Sequence, residues 1–247
     1  MNQNQIPVVI LNWNSFQDTK ECIDSLLIGN KSVFQIYLID NFSKKPDRDQ
    51  LISEFSGHPQ IELKLNNENL GFAKAHNRLF EEIVNDYPFI FVLNNDTFLP
   101  IESHALIENE YHHAKEGMIA FKMVNYWNRS LMDNAGHKML SSGEIIPIGH
   151  ADSIQNYQEA FENVGACAGA TLYSTKMLND IGFFDEYFNT GYEDAELGLR
   201  AIVSGYQSVY QPDLLVYHKM GQSIKKVFNY QYTLKIQCDI FYSYLKL

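Results

Sequence analysis

The sequence lacks the features that define three large classes of protein. It contains no run of about 18 apolar residues, the length needed for a membrane-spanning helix. Its three cysteines, Cys22, Cys167 and Cys238, form no CxxC pair and no Cys/His metal spacing, so no disulfide framework is predicted. Basic residues are few, 19 against 30 acidic ones, and the net charge of -11 argues against nucleic-acid binding. With no signal-type N-terminal pattern, we expect a cytoplasmic protein.

Apolar and helical segments alternate through the first half of the chain. The pattern predicts strands at 7–11, 33–39, 61–65, 88–96 and 118–124, and helices at 18–27, 49–55, 73–84, 103–115 and 195–204. This rhythm predicts an α/β fold with a doubly wound, mostly parallel sheet. Residues 125–162 lose the periodicity, and we expect a small antiparallel region there. We place one domain at 1–223 and an aromatic-rich helical extension at 224–247.

The most informative segment is the apolar run that stops at Asn94-Asn95-Asp96. Open α/β sheets bind ligands beyond the carboxyl ends of their strands, where Asp96 is expected to lie. A carboxylate there can attract a divalent ion, which a nucleotide diphosphate needs for charge neutralisation. The alternative is an ordinary polar turn, since Asn and Asp are common turn residues.

Two other strand ends carry polar residues. The first strand runs into Asn12-Trp13-Asn14 and the second into Asp40-Asn41. Asp40 is placed to accept hydrogen bonds from a nucleobase or ribose, as acidic residues do in dinucleotide folds. An Asx turn or a helix N-cap is the alternative.

A third cluster precedes a predicted helix, at Asn69-Leu70-Gly71, with Lys74 in its first turn. Exposed N–H groups at a helix start favour an anion. A tight loop that needs a positive φ explains Gly71 equally well.

The second half of the chain adds two acids and a histidine. Glu193 and Asp194 lie just before the predicted helix at 195–204, where they either cap the helix or provide a general base. His218 closes a short apolar strand, and its alternatives are a structural residue or a ligand of a Mn²⁺-type ion.

These elements, in this order, resemble the family 2 inverting glycosyltransferases of the GT-A fold, and among them the bacterial rhamnosyltransferase-like subgroup. The resemblance extends from Val8 to about Ser223. Its motifs are Val9-Ile10-Leu11-Asn12-Trp13-Asn14, Ile39-Asp40-Asn41-Phe42-Ser43, Asn69-Leu70-Gly71-Phe72-Ala73-Lys74-Ala75-His76-Asn77, Leu93-Asn94-Asn95-Asp96-Thr97, Gly165-Ala166-Cys167-Ala168-Gly169-Ala170, Gly182-Phe183-Phe184-Asp185-Glu186, Tyr192-Glu193-Asp194 and Tyr217-His218.

The resemblance implies a role for each matching position. Asp96 would hold Mg²⁺ or Mn²⁺ as the last acid of a DxD-type motif, His218 would complete the metal shell, and Asp194 would be the catalytic base. Asn94 replaces the first acid of that motif, which leaves one carboxylate there. Asp40 would bind the nucleotide base, Asn12 and Asn69 would line the same pocket, and the segment 165–170 would border the donor sugar and acceptor. The full set of predicted substrate-binding residues is Asn12, Asp40, Asn69, Gly71, Lys74, Asn95, Gly169 and Glu193. Two departures, at Glu196 and Gly198, predict altered packing.

The function implied is transfer of a sugar from a nucleotide-diphosphate donor to a saccharide or lipid-linked acceptor in cell-surface polysaccharide synthesis. A nucleotidyltransferase, or a non-catalytic sugar-nucleotide-binding protein, is the alternative. The extension at 224–247, in which lysines punctuate an aromatic-rich stretch, would pack on its own domain, form a homodimer contact or touch the inner face of the plasma membrane.

Overall fold

The structure is a computed structural model that describes residues 5–28, 33–188 and 191–220. One large mixed sheet organises these residues. The strands are β1 (Ile6–Asn12), β2 (Phe34–Asp40), β3 (Ile61–Leu65), β4 (Phe89–Leu93), β5 (Thr97–Phe98), β6 (Gly117–Asn125), β7 (Met132–Asn134), β8 (His137–Met139), β9 (Ile145–Pro147), β10 (Phe161–Glu162), β11 (Ala170–Ser174) and β12 (Gln207–His218). The helices are α1 (Phe16–Leu26), α2 (Lys45–Phe55), α3 (Gly71–Ile83), α4 (Ile101–His113), α5 (Thr175–Ile181) and α6 (Glu193–Val203).

The strand order β10-β12-β6-β11-β4-β1-β2-β3 brings distant parts of the chain to one edge of the sheet. β1 pairs in parallel with β2 and β4, and β12 pairs in parallel with β6. β11 lies antiparallel between β4 and β6, so β1, β2, β4, β6 and β12 all point the same way. The carboxyl ends of these five strands therefore meet at the same edge, where ligands bind in such sheets.

Helices cover both faces of the sheet and bury its apolar side chains. On one face, α1, α2 and α4 contribute Cys22, Leu26, Leu51 and Tyr111 to the core. On the other face, α3, α5 and α6 contribute side chains such as Phe80. Strands buried on both faces read as continuous apolar runs, as 88–93 does. The predicted α/β fold is confirmed.

Several predicted boundaries were wrong by two to four residues. β4 ends at Leu93, because Asn94-Asn95-Asp96 turns the chain into the short strand β5. Helix α6 begins at Glu193, so the two acids are its first residues and do not precede it. His218 ends a strand of 12 residues, far longer than the short strand predicted. The pattern also missed β11 and α5, whose segments are short and carry little periodicity.

The predicted antiparallel region is present between β6 and β11. β7 pairs antiparallel with β6, β8 with β9, and β10 with β12. The extension at 224–247 lies outside the described residues. Within the described ranges, no helix combines the length and the apolar character needed to cross a bilayer.

Helix α6 approaches the loop before β11 so closely that two glycines touch. A Cβ at Gly198 would lie 2.5 Å from the Cα of Gly165 and 2.6 Å from the carbonyl oxygen of Val164. Neither neighbour is a flexible side chain that could move aside. This contact sets the position of the acids that begin α6, while the altered packing relative to the family stays a prediction.

We expect Gly198→Ala to destabilise the protein by about 1–3 kcal/mol, because the added methyl group overpacks this contact. Helix propensity alone predicts the opposite sign, a gain of roughly 1 kcal/mol. Urea denaturation distinguishes the two. Ile202→Ala, at a 40% exposed position of the same helix, is the control and should change stability little. A Gly198→Ala protein as stable as the parent would show that the contact relaxes freely.

Candidate active site

The amide of Asn12 joins the end of β2 and the loop after it to helices α1 and α2 at the carboxyl edge of the sheet. Asn12 is fully buried. Its Nδ2 lies 3.2 Å from Oδ1 of Asp40, 2.9 Å from Oγ of Ser43 and 3.0 Å from Oδ2 of Asp47. Its Oδ1 accepts a hydrogen bond of 2.8 Å from Thr19. Asn12 was predicted to line the nucleotide pocket, and its amide is engaged within the protein.

Asp40 is buried at the end of β2 and is neutralised from within the protein. Nε of Arg48 lies 3.4 Å from its Oδ2, and the backbone N–H of Ser43 donates to the same oxygen at 3.4 Å. The side chain of Asp40 is inaccessible, whereas Phe42 beside it is 51% exposed. A base or ribose contact through Asp40 remains a prediction.

The loop before α3 is fixed by Asn41. Its Nδ2 donates to Oδ1 of Asn69 at 2.9 Å and to the carbonyl of Gly71 at 3.1 Å. Gly71 adopts φ +73° and donates its N–H to Asn69. That N–H is therefore occupied by the protein itself. Asn69 is exposed, and Lys74, in the first turn of α3, is partly exposed.

The turn after β4 is anchored on both sides. Nδ2 of Asn95 donates to Oγ1 of Thr19 at 2.9 Å, which links this turn to Asn12. The carbonyl of Asp96 accepts from the N–H of Lys219 at 2.9 Å. Because β5 pairs with β12, Asp96 reaches the end of β12.

Asp96, His218 and Asp133 form a continuous chain of hydrogen bonds. Nε2 of His218 donates to Oδ1 of Asp96 at 3.1 Å, and Nδ1 donates to Oδ2 of Asp133 at 2.5 Å. Burial alone would lower the pKa of His218, but the two carboxylates raise it to about 10. Burial alone would raise the pKa of Asp96, and the bond from His218 outweighs it, so that pKa lies below its ordinary value.

This donor set fits a divalent ion. A metal-bound histidine almost always donates its other N–H to a carboxylate, as His218 does to Asp133. Asp96 and His218 then offer one oxygen and, once Nε2 releases its proton, one nitrogen, a combination that suits Mn²⁺ better than Ca²⁺. The structure brings the two predicted metal ligands together. One carboxylate and one imidazole leave most positions of the ion to substrate and water.

Asp194, the predicted base, lies at the start of α6 with its side chain 14% exposed. Its Oδ2 accepts from the N–H of Ala168 at 3.0 Å, and its Oδ1 from the N–H of Ala195 at 2.8 Å. The same loop reaches the other cluster, because the carbonyl of Gly169 accepts from the N–H of Asn94 at 2.9 Å. One short segment thus joins Asp194 to the turn that carries Asp96.

A glycine is favoured at position 169 because the loop approaches β6 and the turn after β4 closely. A Cβ there would lie 2.6 Å from Cε of Met123 and 3.4 Å from Nδ2 of Asn94. The flexible Met123 side chain could move, so the glycine is favoured by space and not strictly required.

Glu193 differs sharply from its neighbour Asp194. It is 5% exposed, and its Oε2 has no hydrogen-bond partner in the part of the chain that the structure describes. Burial and, secondarily, the charge of Asp194 raise the pKa of Glu193 to about 8. Glu193 is therefore a poor candidate for the general base, whereas Asp194 is partly exposed and accepts two backbone N–H bonds.

Three side chains at the site were missed or given no role by sequence reasoning. Asp133 and His137 lie in the segment without periodicity, and Cys167 belongs to a motif of the resemblance but has no predicted role of its own. The one signal in the sequence was that this polar segment contains side chains that can bind a metal ion or a proton. Nothing in sequence spacing predicts that Asp133 meets a histidine 85 residues away.

The fold and the site define an α/β protein with polar clusters at the carboxyl edge of its sheet. Residues 8–182 match the model of Glycosyl transferase family 2, and the chain belongs to that family. No curated protein sequence matches the chain. The predicted GT-A type of fold is confirmed by its structural neighbours.

Three solved structures illustrate the likeness. GalNAc-T7 with UDP, GalNAc and Mn²⁺ has a TM-score of 0.67 and 14% identity, over 88% of this chain and 44% of its own. Mannosyltransferase PcManGT from Pyrobaculum calidifontis with GDP-Man and Mn²⁺ has a TM-score of 0.60 and 11% identity, over 89% of this chain and 58% of its own. S. aureus TarS 1-349 with UDP-GlcNAc has a TM-score of 0.63 and 16% identity, over 96% of this chain and 66% of its own. The chain thus spans from less than half to about two thirds of these proteins, and such identities carry the fold alone.

We expect Glu193→Gln to alter the pH dependence of stability. Because the folded state favours the neutral carboxyl, wild-type stability falls as pH rises from 4.5, the ordinary pKa, towards 8, and the loss is complete above 8. The variant lacks this loss, so its melting temperature relative to wild type should rise through that window. Thermal melts in EDTA measure it. Glu159→Gln, at an exposed position, should leave the profile unchanged. Parallel curves for Glu193→Gln and wild type would contradict a raised pKa.

Proposed function

We propose that this protein transfers a sugar from a nucleotide-diphosphate donor to a hydroxyl of a saccharide or lipid-linked acceptor, with inversion at the anomeric carbon. The observation that carries the proposal is that one loop connects the predicted base to the predicted metal ligand. The segment 167–170 bonds Asp194 on one side and the turn that bears Asp96 on the other. Family membership and the nucleotide-sugar complexes of the structural neighbours support it.

The donor side of the proposal rests on Asp96 and His218. These residues would hold Mg²⁺ or Mn²⁺, and Asp133 would fix the orientation of the His218 ring. A bound ion neutralises the negative charge that develops on the leaving nucleoside diphosphate. Mn²⁺ in two of the neighbours supports this role.

On the acceptor side, the Asp194 carboxylate takes the proton of the acceptor hydroxyl. The acceptor oxygen forms a bond to the anomeric carbon from the face opposite the diphosphate, and the bond from that carbon to the diphosphate oxygen breaks. No protein nucleophile takes part, so the configuration inverts. The N–H bonds from Ala168 and Ala195 hold the carboxylate in place.

A hexose as the transferred sugar, rhamnose in particular, and a role in cell-surface polysaccharide synthesis follow from the subgroup resemblance alone. A donor panel assayed by thermal shift with Mn²⁺ present addresses the sugar, since binding stabilises by mass action. A nucleotidyltransferase would release pyrophosphate, and a non-catalytic protein would release nothing. Only a glycosyltransferase releases the nucleoside diphosphate.

We expect Asp194→Asn to abolish transfer while donor affinity stays within a few-fold of wild type. Amidation keeps the shape of the side chain and removes its basicity. Nucleoside diphosphate release and donor binding by calorimetry are measured on the same preparations. Asp180→Asn, an exposed carboxylate on α5, is the control. Sugar transfer by Asp194→Asn at the wild-type rate would contradict the assignment of Asp194 as the base.

We expect Asp96→Ala to eliminate Mn²⁺-dependent donor binding, since it removes the lone carboxylate of the turn after β4. His218→Ala should weaken binding less, because water can replace an imidazole. Asp133→Asn should weaken it by about 10- to 100-fold, because a neutral amide makes the imidazole a less basic ligand than a carboxylate does. Donor titrations with Mn²⁺ or EDTA check all three, with Asp213→Asn, exposed on β12, as the control. If EDTA leaves transfer unchanged, the metal-dependent mechanism is wrong.

A further inference from the structure

A second set of metal-ligating side chains lies at the start of α6. It consists of His137 from β8, Cys167 from the loop before β11, and Asp194. One ligand atom from each residue lies within 4.8 Å of the other two, and all three side chains are partly buried. Nε2 of His137 is 4.0 Å from Oδ2 of Asp194. Of this set, the proposed function uses Asp194 alone.

We propose that His137, Cys167 and Asp194 bind a zinc-type transition-metal ion. Zinc prefers four tetrahedral ligands from histidine nitrogen, cysteine sulfur and carboxylate oxygen, with bonds of about 2.0–2.3 Å. Around one such ion the ligand atoms lie roughly 3.3–3.8 Å apart. The separations in the structure, which reach at most 4.8 Å, must therefore shorten by no more than about 1.5 Å. Water or a substrate oxygen would occupy the fourth position.

The backbone around these residues is already fixed. His137 donates its N–H to the carbonyl of Gly165 at 2.8 Å, and Val164 donates to the carbonyl of His137 at 2.8 Å. Gly165 in turn touches Gly198 of α6, the helix that begins with Asp194. The three ligands thus stand on segments joined by short contacts.

A second observation that supports the metal site is the Nδ1 atom of His137. Its Nδ1 is buried and has no hydrogen-bond partner within the described ranges. The imidazole is only 12% exposed, so water does not readily compensate it. A cation bound at Nδ1 would remove the cost of this unpartnered buried atom, whereas one bound at Nε2 would leave it.

Ligand type separates this site from the one at Asp96. A thiolate with an imidazole favours zinc over Mg²⁺ and Mn²⁺, whereas a carboxylate with an imidazole and open positions accepts Mn²⁺. Binding at the second site forms a sulfur–metal bond and releases the thiol proton of Cys167 to solvent. If Asp194 is the base, which rests on the proposed function, the bound ion withholds its lone pair. Zinc would then inhibit transfer, and added Mn²⁺ would not relieve the inhibition.

Cobalt tests the site directly, because Co²⁺ replaces zinc and a thiolate ligand gives it a near-ultraviolet charge-transfer band. We expect this band when the full-length, EDTA-stripped protein is titrated with Co²⁺, and its loss on addition of Zn²⁺. Cys167→Ser should abolish the band, and His137→Ala should weaken Co²⁺ binding at least about tenfold. Cys22→Ala and Asp96→Ala should retain it. Absence of the band in wild type, or its persistence in Cys167→Ser, overturns the proposal.

A measurement on wild-type protein alone guards against misfolded variants. Zn²⁺ should slow alkylation of Cys167 by a maleimide at least about tenfold, as read by peptide mass spectrometry, with Mg²⁺ as the control ion. Equal alkylation rates with either ion contradict the site. Zinc that protects Cys167 without slowing transfer would support the site and contradict Asp194 as the base. The two proposals therefore fail separately.

Discussion

The buried amide of Asn12 is the interaction on which the sheet edge depends. It sits between Asp40, Ser43 and Asp47 on one side and Thr19 on the other, and Thr19 continues the chain of hydrogen bonds to Asn95. A polar group buried at 0% exposure is tolerated only when its hydrogen bonds are made. The loops after β1, β2 and β4 are consequently held in one arrangement, and the turn bearing Asp96 inherits that arrangement.

Strand direction explains why residues far apart in sequence share this edge. β11 runs antiparallel between β4 and β6, which restores the parallel direction for β6 and β12. His218 thereby ends beside Asp96, while the antiparallel region after β6 supplies Asp133 and His137. The reversal places Gly169 between the two polar clusters.

The sequence predicted what local pattern encodes. Apolar runs and helical periodicity located β1 to β4, α1 and α3, and the strand-end rule placed Asp40 and Asp96 at one edge. Long-range pairing was beyond its reach, because no periodicity relates Asp133 to His218. Nor did composition indicate that the Asn12 amide would form its hydrogen bonds with neighbouring side chains. The resemblance supplied His218 and Asp194, and the structure supplied their partners.

The two sides of the edge are built differently, and this bears on specificity. On the side of β1 and β2, amides and carboxylates bind one another, so few of them are free to read a ligand. On the side of α6, the groups around Asp194 come from segments outside the regular sheet, such as the loop of Cys167. Loops of this kind vary more readily than core strands while a rigid scaffold positions them. Under the proposed function, we expect recognition of the acceptor to reside between residues 125 and 169, where the sequence lost its periodicity.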